Sequence, residues 1–342
     1  MNVTVPANEL ECTVEQGKPA MATVPGFGTL QEACSWLAGG RERLRDLLDK
    51  HGAVYLRGLP IRDAADFAAV RDVVLARRTS YREKATPRSH LGDDVYSSTD
   101  LPPSHAIRLH NENSYTLTFP GLLIFCCLTA PRTGGATPVA DCRQVLRNLP
   151  PELTERLRAV GWLLQRNYGP RISLDWRTAF AAESAEQVEE YCRENLISFS
   201  WGADDTLRTR QVRPAIIRHP RTGEEVWFNH AAFWNEYSLN PPIREVLMRE
   251  LGPDGLPFNT AFGDGGVFSA DEAGQLNAAY EAATLRRTWR PGDVMIVDNI
   301  LAAHGRESFR GDRKIVVAMG EPVTLRECDP VPSMAVCAGE VR

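Results

Sequence analysis

Residues 289–321 read WRPGDVMIVDNILAAHGRESFRGDRKIVVAMGE, and this stretch decides the fold. Trp289-Arg290-Pro291-Gly292-Asp293 is a turn that feeds VMIVD (294–298), an apolar run of strand length. The polar pair Asp298-Asn299 reverses the chain, and His304 follows. A second apolar strand, KIVVAM (314–319), closes the regular part of the chain, with Arg313 at its mouth. Adjacent antiparallel strands of this kind would bring His304 and Arg313 to one cavity. A guanidinium entering an apolar strand is costly without an anion, which is either a carboxylate of the chain or a bound ligand.

Working outward, the complementary half lies at LHNENSYTLTFPGLLIFCCLTAPRTGGATPVAD (109–141). His110 and Glu112 are two residues apart, so on an extended strand both side chains leave the same face. With His304 they make two imidazoles and one carboxylate, a facial triad that binds Fe(II) and leaves positions open for oxygen chemistry. An HxE pair alone is weak, since seven histidines and many glutamates produce one readily by chance. Structural zinc would need four closely spaced Cys and His ligands, and a hydrolytic HExxH helix is absent from the sequence. His51, His90, His105, His219 and His230 have no patterned companion and read as structural or surface residues.

Elsewhere the pattern alternates helices and strands. Helices are expected over 29–38 and 41–50, the second capped by Gly52. AVYLRG (53–58) reads as a strand and 63–78 as an amphipathic helix opened by Asp63. Residues 80–109 read as a long irregular loop of functional type. LLIFCCL (122–128) is a buried strand, followed by the turn Thr133–Thr137. One helix is expected from Asp141 past Pro150-Pro151, and others at Ser184, Asn240-Pro241 and Ser269, where Gln187 and Glu272 complete capping boxes. VRPAII (212–217) and EVWFN (225–229) form a hairpin around HPRTGE.

The class that emerges is mainly β with helical insertions, in one domain over 1–342. Residues 1–100 form an N-terminal flank and lid loop, 101–321 a core with helical insertions at about 142–200 and 240–287, and 322–342 a tail.

Composition excludes other classes. Hydrophobic residues are 43%, charged residues 24%, and the net charge is −5 with no basic block, so no nucleic-acid footprint is expected. The N-terminus lacks the basic start and apolar run of a secretory signal, and LLIFCCLTA (122–130) is too short to span a bilayer. The eight cysteines form no CxxC pair and are expected to be reduced thiols in a cytoplasmic protein.

The segments 109–141, 213–233, FGDGGVFS (262–269) and 289–321, in that order, resemble the iron(II)/2-oxoglutarate-dependent dioxygenases of the taurine dioxygenase and clavaminate synthase superfamily. The resemblance is strongest to the specialised-metabolite branch that hydroxylates amino-acid-like substrates. It implies a double-stranded β-helix, a distorted jelly roll. It also implies Fe(II) held by His110, Glu112 and His304, and 2-oxoglutarate held by Thr137 and Arg313. The reaction it implies consumes O2, converts 2-oxoglutarate to succinate and CO2, and hydroxylates an unactivated C–H bond. Desaturation, epoxidation and ring closure use the same cofactors. An inactive binding protein on the same fold is the remote alternative.

Two departures narrow this. Glu112 stands, as in clavaminate-like members, where sulfonate-metabolising members carry Asp, and being neither Gly nor Ala it leaves no vacant position for the chloride of a halogenase. Val317 stands where sulfonate-metabolising members carry a second arginine. A hydroxylase that does not take a sulfonate is therefore expected. Asn113, Ser114, Tyr115, Arg88, His90, Tyr96 through Thr99, Asn229, His230 and Phe233 are the candidate substrate contacts. The expected partner is a small molecule, free or presented on a carrier protein, with no nucleic acid or membrane involved; the sequence says nothing of oligomeric state.

Overall fold

The computed structural model describes residues 10–79, 83, 89–169, 173–203 and 205–333. Its strands begin with β1 (Cys12–Thr13), β2 (Ala20–Thr23), β3 (Ala53–Arg57), β4 (Tyr96–Ser97), β5 (Ile107–His110), β6 (Thr118–Thr129), β7 (Thr133–Gly134), β8 (Val139–Asp141) and β9 (Trp162–Tyr168). They continue with β10 (Ser198–Trp201), β11 (Leu207–Arg213), β12 (Ile216–Arg218), β13 (Glu225–Trp227) and β14 (Phe258–Phe262). The last are β15 (Thr284–Leu285), β16 (Val294–Asp298), β17 (Ala302–Arg306), β18 (Phe309–Arg310) and β19 (Lys314–Thr324). The helices are α1 (Leu30–Gly39), α2 (Arg41–His51), α3 (Ala64–Val74), α4 (Cys142–Asn148), α5 (Pro151–Val160), α6 (Trp176–Phe180), α7 (Ala185–Glu194), α8 (Pro241–Leu251) and α9 (Ala270–Ala282).

The protein is thus mainly strands with helices. One sheet runs β1-β2-β3-β16-β6-β19-β4, and a second runs β15-β8-β17-β5. The apolar run at 122–128 is continuous because both faces of β6 are covered. Leu122, Ile124 and Cys126 pack with Val54, Ile296 and Val316 against residues of α1, α2 and α3. Leu123, Phe125 and Cys127 point the other way, with Met295, Val297 and Val317, and meet Val139 and Ala302 of the second sheet. Strand alternation sends successive side chains to opposite layers, so both must be apolar. Truncating one such residue, Leu123→Ala, removes roughly 2–5 kcal/mol. A third sheet, β10-β11-β9-β14, lies beyond, among the helices of the second half.

Asp63, Ser184 and Ser269 cap their helices as expected, and Gly52 ends α2 with a positive φ of 69°. Other expectations are corrected. The helix from Asp63 stops at Val74, because Leu75 turns extended and enters the core beneath α1–α3. The helix expected from Asp141 through Pro151 is two, since Leu149 and Pro150 each precede a proline and are held extended. VRPAII is not one strand: Pro214 has no N–H for a ladder, so β11 ends at Arg213 and β12 begins at Ile216. The irregular interval 80–109 holds β4 and β5, and the intervals expected to be helical also hold β9, β10 and β14.

The described cysteines are all free thiols. Among the described residues no helix is long and apolar enough to cross a membrane.

Candidate active site

His110 ends β5, and His304 lies opposite it in the antiparallel register of β17. The two rings stand 4.5 Å apart between centroids. A one-residue slip of β5 would send His110 to the other face, so register alone pairs these imidazoles. His110 Nδ1 lies 2.9 Å from the Arg108 carbonyl oxygen. A carbonyl only accepts, so Nδ1 carries the proton and Nε2 keeps its lone pair.

Glu112 lies beyond the end of β5, so strand alternation does not place it. Asn299 does. Its Oδ1 accepts from the Glu112 N–H at 2.7 Å, and its Nδ2 donates to the Glu112 and Pro120 carbonyls at 2.9 and 2.8 Å. The Asn299 carbonyl in turn accepts from Asn111 Nδ2 at 2.7 Å. Glu112 Oε2 thereby comes to 3.7 Å from His304 Nε2, and one donor atom from each of the three residues falls within a 4.8 Å cluster. Donors about 2.1 Å from one ion lie roughly 3–4 Å apart on a shared face, so this set fits a divalent transition metal.

Beside it, Thr137 Oγ1 accepts from Trp289 Nε1 at 3.1 Å and from Arg313 Nη2 at 3.2 Å. With both lone pairs engaged, the hydroxyl proton is left to donate to an incoming acceptor. Arg313 also donates to the Gly135 carbonyl at 3.0 Å and to Ser98 Oγ at 3.3 Å. Among the described residues no carboxylate pairs with it. Burial, and then the neighbouring Arg306, push its pKa down to about 10. That is the condition of a buried cation lacking its anion, and it removes the internal ion pair left open by the sequence. Gly134 and Gly135 make the approach possible: both have φ of 69°, and a Cβ on Gly134 would sit 2.3 Å from the Ser308 carbonyl oxygen.

Asn113, Tyr115, His230, Phe233 and Trp234 wall the same cavity as His110, Glu112, His304, Thr137 and Arg313. Asn113 has a positive φ of 55°, and its Oδ1 is buried with no hydrogen-bond partner among the described residues. Tyr115 donates to the Glu83 carbonyl at 2.9 Å, which ties this wall to the 80–109 interval. His230 Nδ1 lies 2.6 Å from Ser114 Oγ. Burial holds the His230 pKa far below its ordinary value, so the ring is neutral. Phe233 packs 4.6 Å from the His110 ring. Ser98 and Thr99 reach the cavity, whereas Tyr96 and Ser97 are taken up pairing with β19.

Asn229 is corrected: it does not line the cavity. Its Nδ2 donates to the Ala215 carbonyl at 3.0 Å and its Oδ1 accepts from the Ala231 N–H at 2.9 Å, so it holds a turn. Arg88 lies outside the described residues. Val317 is buried in the apolar layer between the sheets and offers no polar contact.

Sequence reasoning singled out neither Trp289 nor Asn299. Both act through a neighbour, and only their places in the turns Trp289–Asp293 and Asp298-Asn299 beside the strand 294–298 hinted at them. A second acid–imidazole cluster, Asp49, His219 and Asp298, is structural. The Thr222 N–H donates to His219 Nδ1 at 3.1 Å, so Nε2 carries the proton that faces Asp298 at 3.1 Å.

The Taurine catabolism dioxygenase TauD, TfdA family matches residues 15–319. The chain belongs to that family. It is 35% identical over 278 residues to the dapdiamide synthesis protein DdaC of Enterobacter agglomerans, covering 81% of this chain and 84% of that protein. It is 27% identical over 290 residues to a clavaminate synthase-like protein of Arabidopsis thaliana, covering 81% and 83%. The PvcB protein of Pseudomonas aeruginosa superposes with a TM-score of 0.50 at 17% identity, over 92% of this chain and 89% of that one. A taurine dioxygenase from Burkholderia xenovorans gives 0.51 at 17%, over 94% and 98%. This TauD, TfdA family member is an Fe(II)/2-oxoglutarate-dependent dioxygenase, with Fe(II) as cofactor and 2-oxoglutarate as cosubstrate.

Proposed function

We propose that this dioxygenase hydroxylates an unactivated C–H bond of an amino-acid-like small molecule in specialised metabolism, converting 2-oxoglutarate to succinate and CO2. The observation that carries the reading is the convergence of His110, Glu112 and His304 with a donor pair, Thr137 and Arg313, that lacks an anion. The similarity to a dapdiamide synthesis protein supports the metabolic setting. Strands on two facing sheets suit a double-stranded β-helix core.

Bound iron and 2-oxoglutarate together supply the oxidising power for C–H attack. The chain's part is placement. His110, Glu112 and His304 would hold the iron, and a set of only three protein ligands would leave it able to take further ligands. Arg313 and Thr137 hold the far carboxylate of 2-oxoglutarate by a charge-assisted fork and a hydroxyl donor. Phe125, Phe233 and Trp234 keep water from the reacting atoms. The idle Asn113 Oδ1 is suited to an N–H or O–H of the substrate, and neutral His230 adds a second polar contact.

The test is spectroscopic. Under anaerobic conditions, Fe(II) plus 2-oxoglutarate should give a weak visible metal-to-ligand charge-transfer band. No band, and no succinate under oxygen, would overturn the reading. A screen of free and carrier-bound amino acids for substrate-dependent succinate then tests the substrate class.

A further inference from the structure

Outside the iron cavity lies a second one of about 350 Å3, and the two share Ile107, Phe233 and Arg306 in their walls. The charges around this joint space do not balance. Four guanidiniums, Arg108, Arg286, Arg306 and Arg313, face it against three carboxylates, Glu112, Glu281 and Glu307. Both outer carboxylates are already engaged by Arg286, at 2.8 and 3.1 Å. Arg306 is buried on the dividing wall and donates only to neutral carbonyls, those of Leu101, Pro102 and His105. Its Nε is buried with no partner among the described residues. Arg108 opens onto the outer cavity and also meets only neutral acceptors, Asn277 Oδ1 at 2.9 Å and the Ser238 carbonyl at 3.0 Å. A ferrous ion and a 2-oxoglutarate dianion cancel, and an imidazole that holds a metal through a ring nitrogen does so in its neutral form. Loading the site therefore leaves one positive charge uncompensated, in a space walled by Phe233, Ile107, Tyr280 and Leu109. Low-dielectric walls strengthen the pull of such a charge on an anion.

We propose that the outer cavity is the distal half of the substrate site and that Arg108, backed by Arg306, binds a singly charged oxyanion of the substrate, a carboxylate or a phosphate group. The proposal rests on the oxygenase reading and adds to it a division of labour. One end of the substrate is held by its charge in the outer cavity, and the other crosses β5 to the iron. A carboxylate would belong to a free small molecule, and a phosphate to the arm of a carrier protein.

Nuclear relaxation tests this on protein loaded with Mn(II) and saturating 2-oxoglutarate, which first confirms that the cosubstrate binds. Acetate is then followed by 13C and inorganic phosphate by 31P. Wild type should show a saturable enhancement for at least one of them, weakened about tenfold or more in Arg108→Gln. Arg108→Lys should recover part of it, with 2-oxoglutarate affinity unchanged in both variants. Tighter acetate assigns the carboxylate source, and tighter phosphate the carrier arm. No saturable enhancement, or one that Arg108→Gln leaves intact, overturns the proposal. Failure of the wild type to bind 2-oxoglutarate would instead bring down the oxygenase reading itself.

Discussion

At the sheet end of the cavity His110, His304, Thr137 and Arg313 lie on paired strands or within two residues of them, whereas at the mouth Asn113, Tyr115, His230 and Phe233 lie on turns without a ladder. The inner set is fixed by register and by hydrogen bonds among its own members. The outer set is fixed by packing, through Tyr115 on Glu83, His230 on Ser114 and the aromatic contacts around Phe233. Ladder geometry permits one arrangement; turn packing permits several. The difference predicts an inner end that tolerates almost no change and a mouth that can be altered without losing iron or cosubstrate.

The largest effect should come from His304→Ala, which removes one of the three proposed ligands and should abolish both the anaerobic charge-transfer band and succinate formation. Arg313→Leu comes next. It deletes the proposed fork to the cosubstrate carboxylate and should weaken 2-oxoglutarate binding about 100-fold in anaerobic titration, with Fe(II) binding retained. Asn299→Ala should lower Fe(II) affinity about 10–100-fold by freeing the backbone of Glu112. If metal affinity does not change, the inner end is less interlocked than its hydrogen bonds imply.

The strand-rich architecture, and the meeting of His110, Glu112, Thr137, His304 and Arg313 in one cavity, were legible for a physical reason. A strand buried on both faces writes an unbroken apolar run, and a lone His or Arg just beside such a run stands out. That is how His304 and Arg313 stood out beside VMIVD and KIVVAM. Trp289 was hidden because it acts through the Thr137 hydroxyl, and Asn299 because it acts on the Glu112 backbone rather than its carboxylate. The mouth was half legible. Asn113 and Phe233 reach the cavity, but Asn229, four residues from Phe233, has its whole side-chain amide committed to a turn. No local pattern separates a polar residue facing a cavity from one holding a turn. The strands β9, β10 and β14 were missed because polar residues break their apolar runs: Gln165, Arg166 and Asn167 in β9, Ser198 and Ser200 in β10, and Asn259 and Thr260 in β14.

Smaller effects sharpen the contrast. Trp289→Phe keeps the packing, removes one donor to Thr137 and should weaken 2-oxoglutarate roughly 5- to 10-fold. Arg313 also sets a pH limit. Its pKa is lowered to about 10, so the free protein loses this charge at lower pH than an ordinary arginine would. Only the charged form pairs with a carboxylate, so affinity for 2-oxoglutarate should be flat from about pH 7 to 9 and fall toward tenfold per unit above about 10. Phe233→Leu should leave Fe(II) and 2-oxoglutarate binding unchanged while altering substrate-dependent succinate formation.

The facing of His110 and His304 has a further consequence, for the way the enzyme survives in a crowded solution. Among the described residues β5 is the last strand of its sheet, joined only to β17, and its register there shifts between His304 and Arg306. A short, weakly tied border of this kind invites pairing with a foreign chain. An ion held, as proposed, by His110 of one strand and His304 of the other would stitch that border shut and stabilise the native state as it fills the site. Chelation should therefore leave more than an idle catalyst: light scattering on warming should rise earlier in stripped protein than in the loaded form.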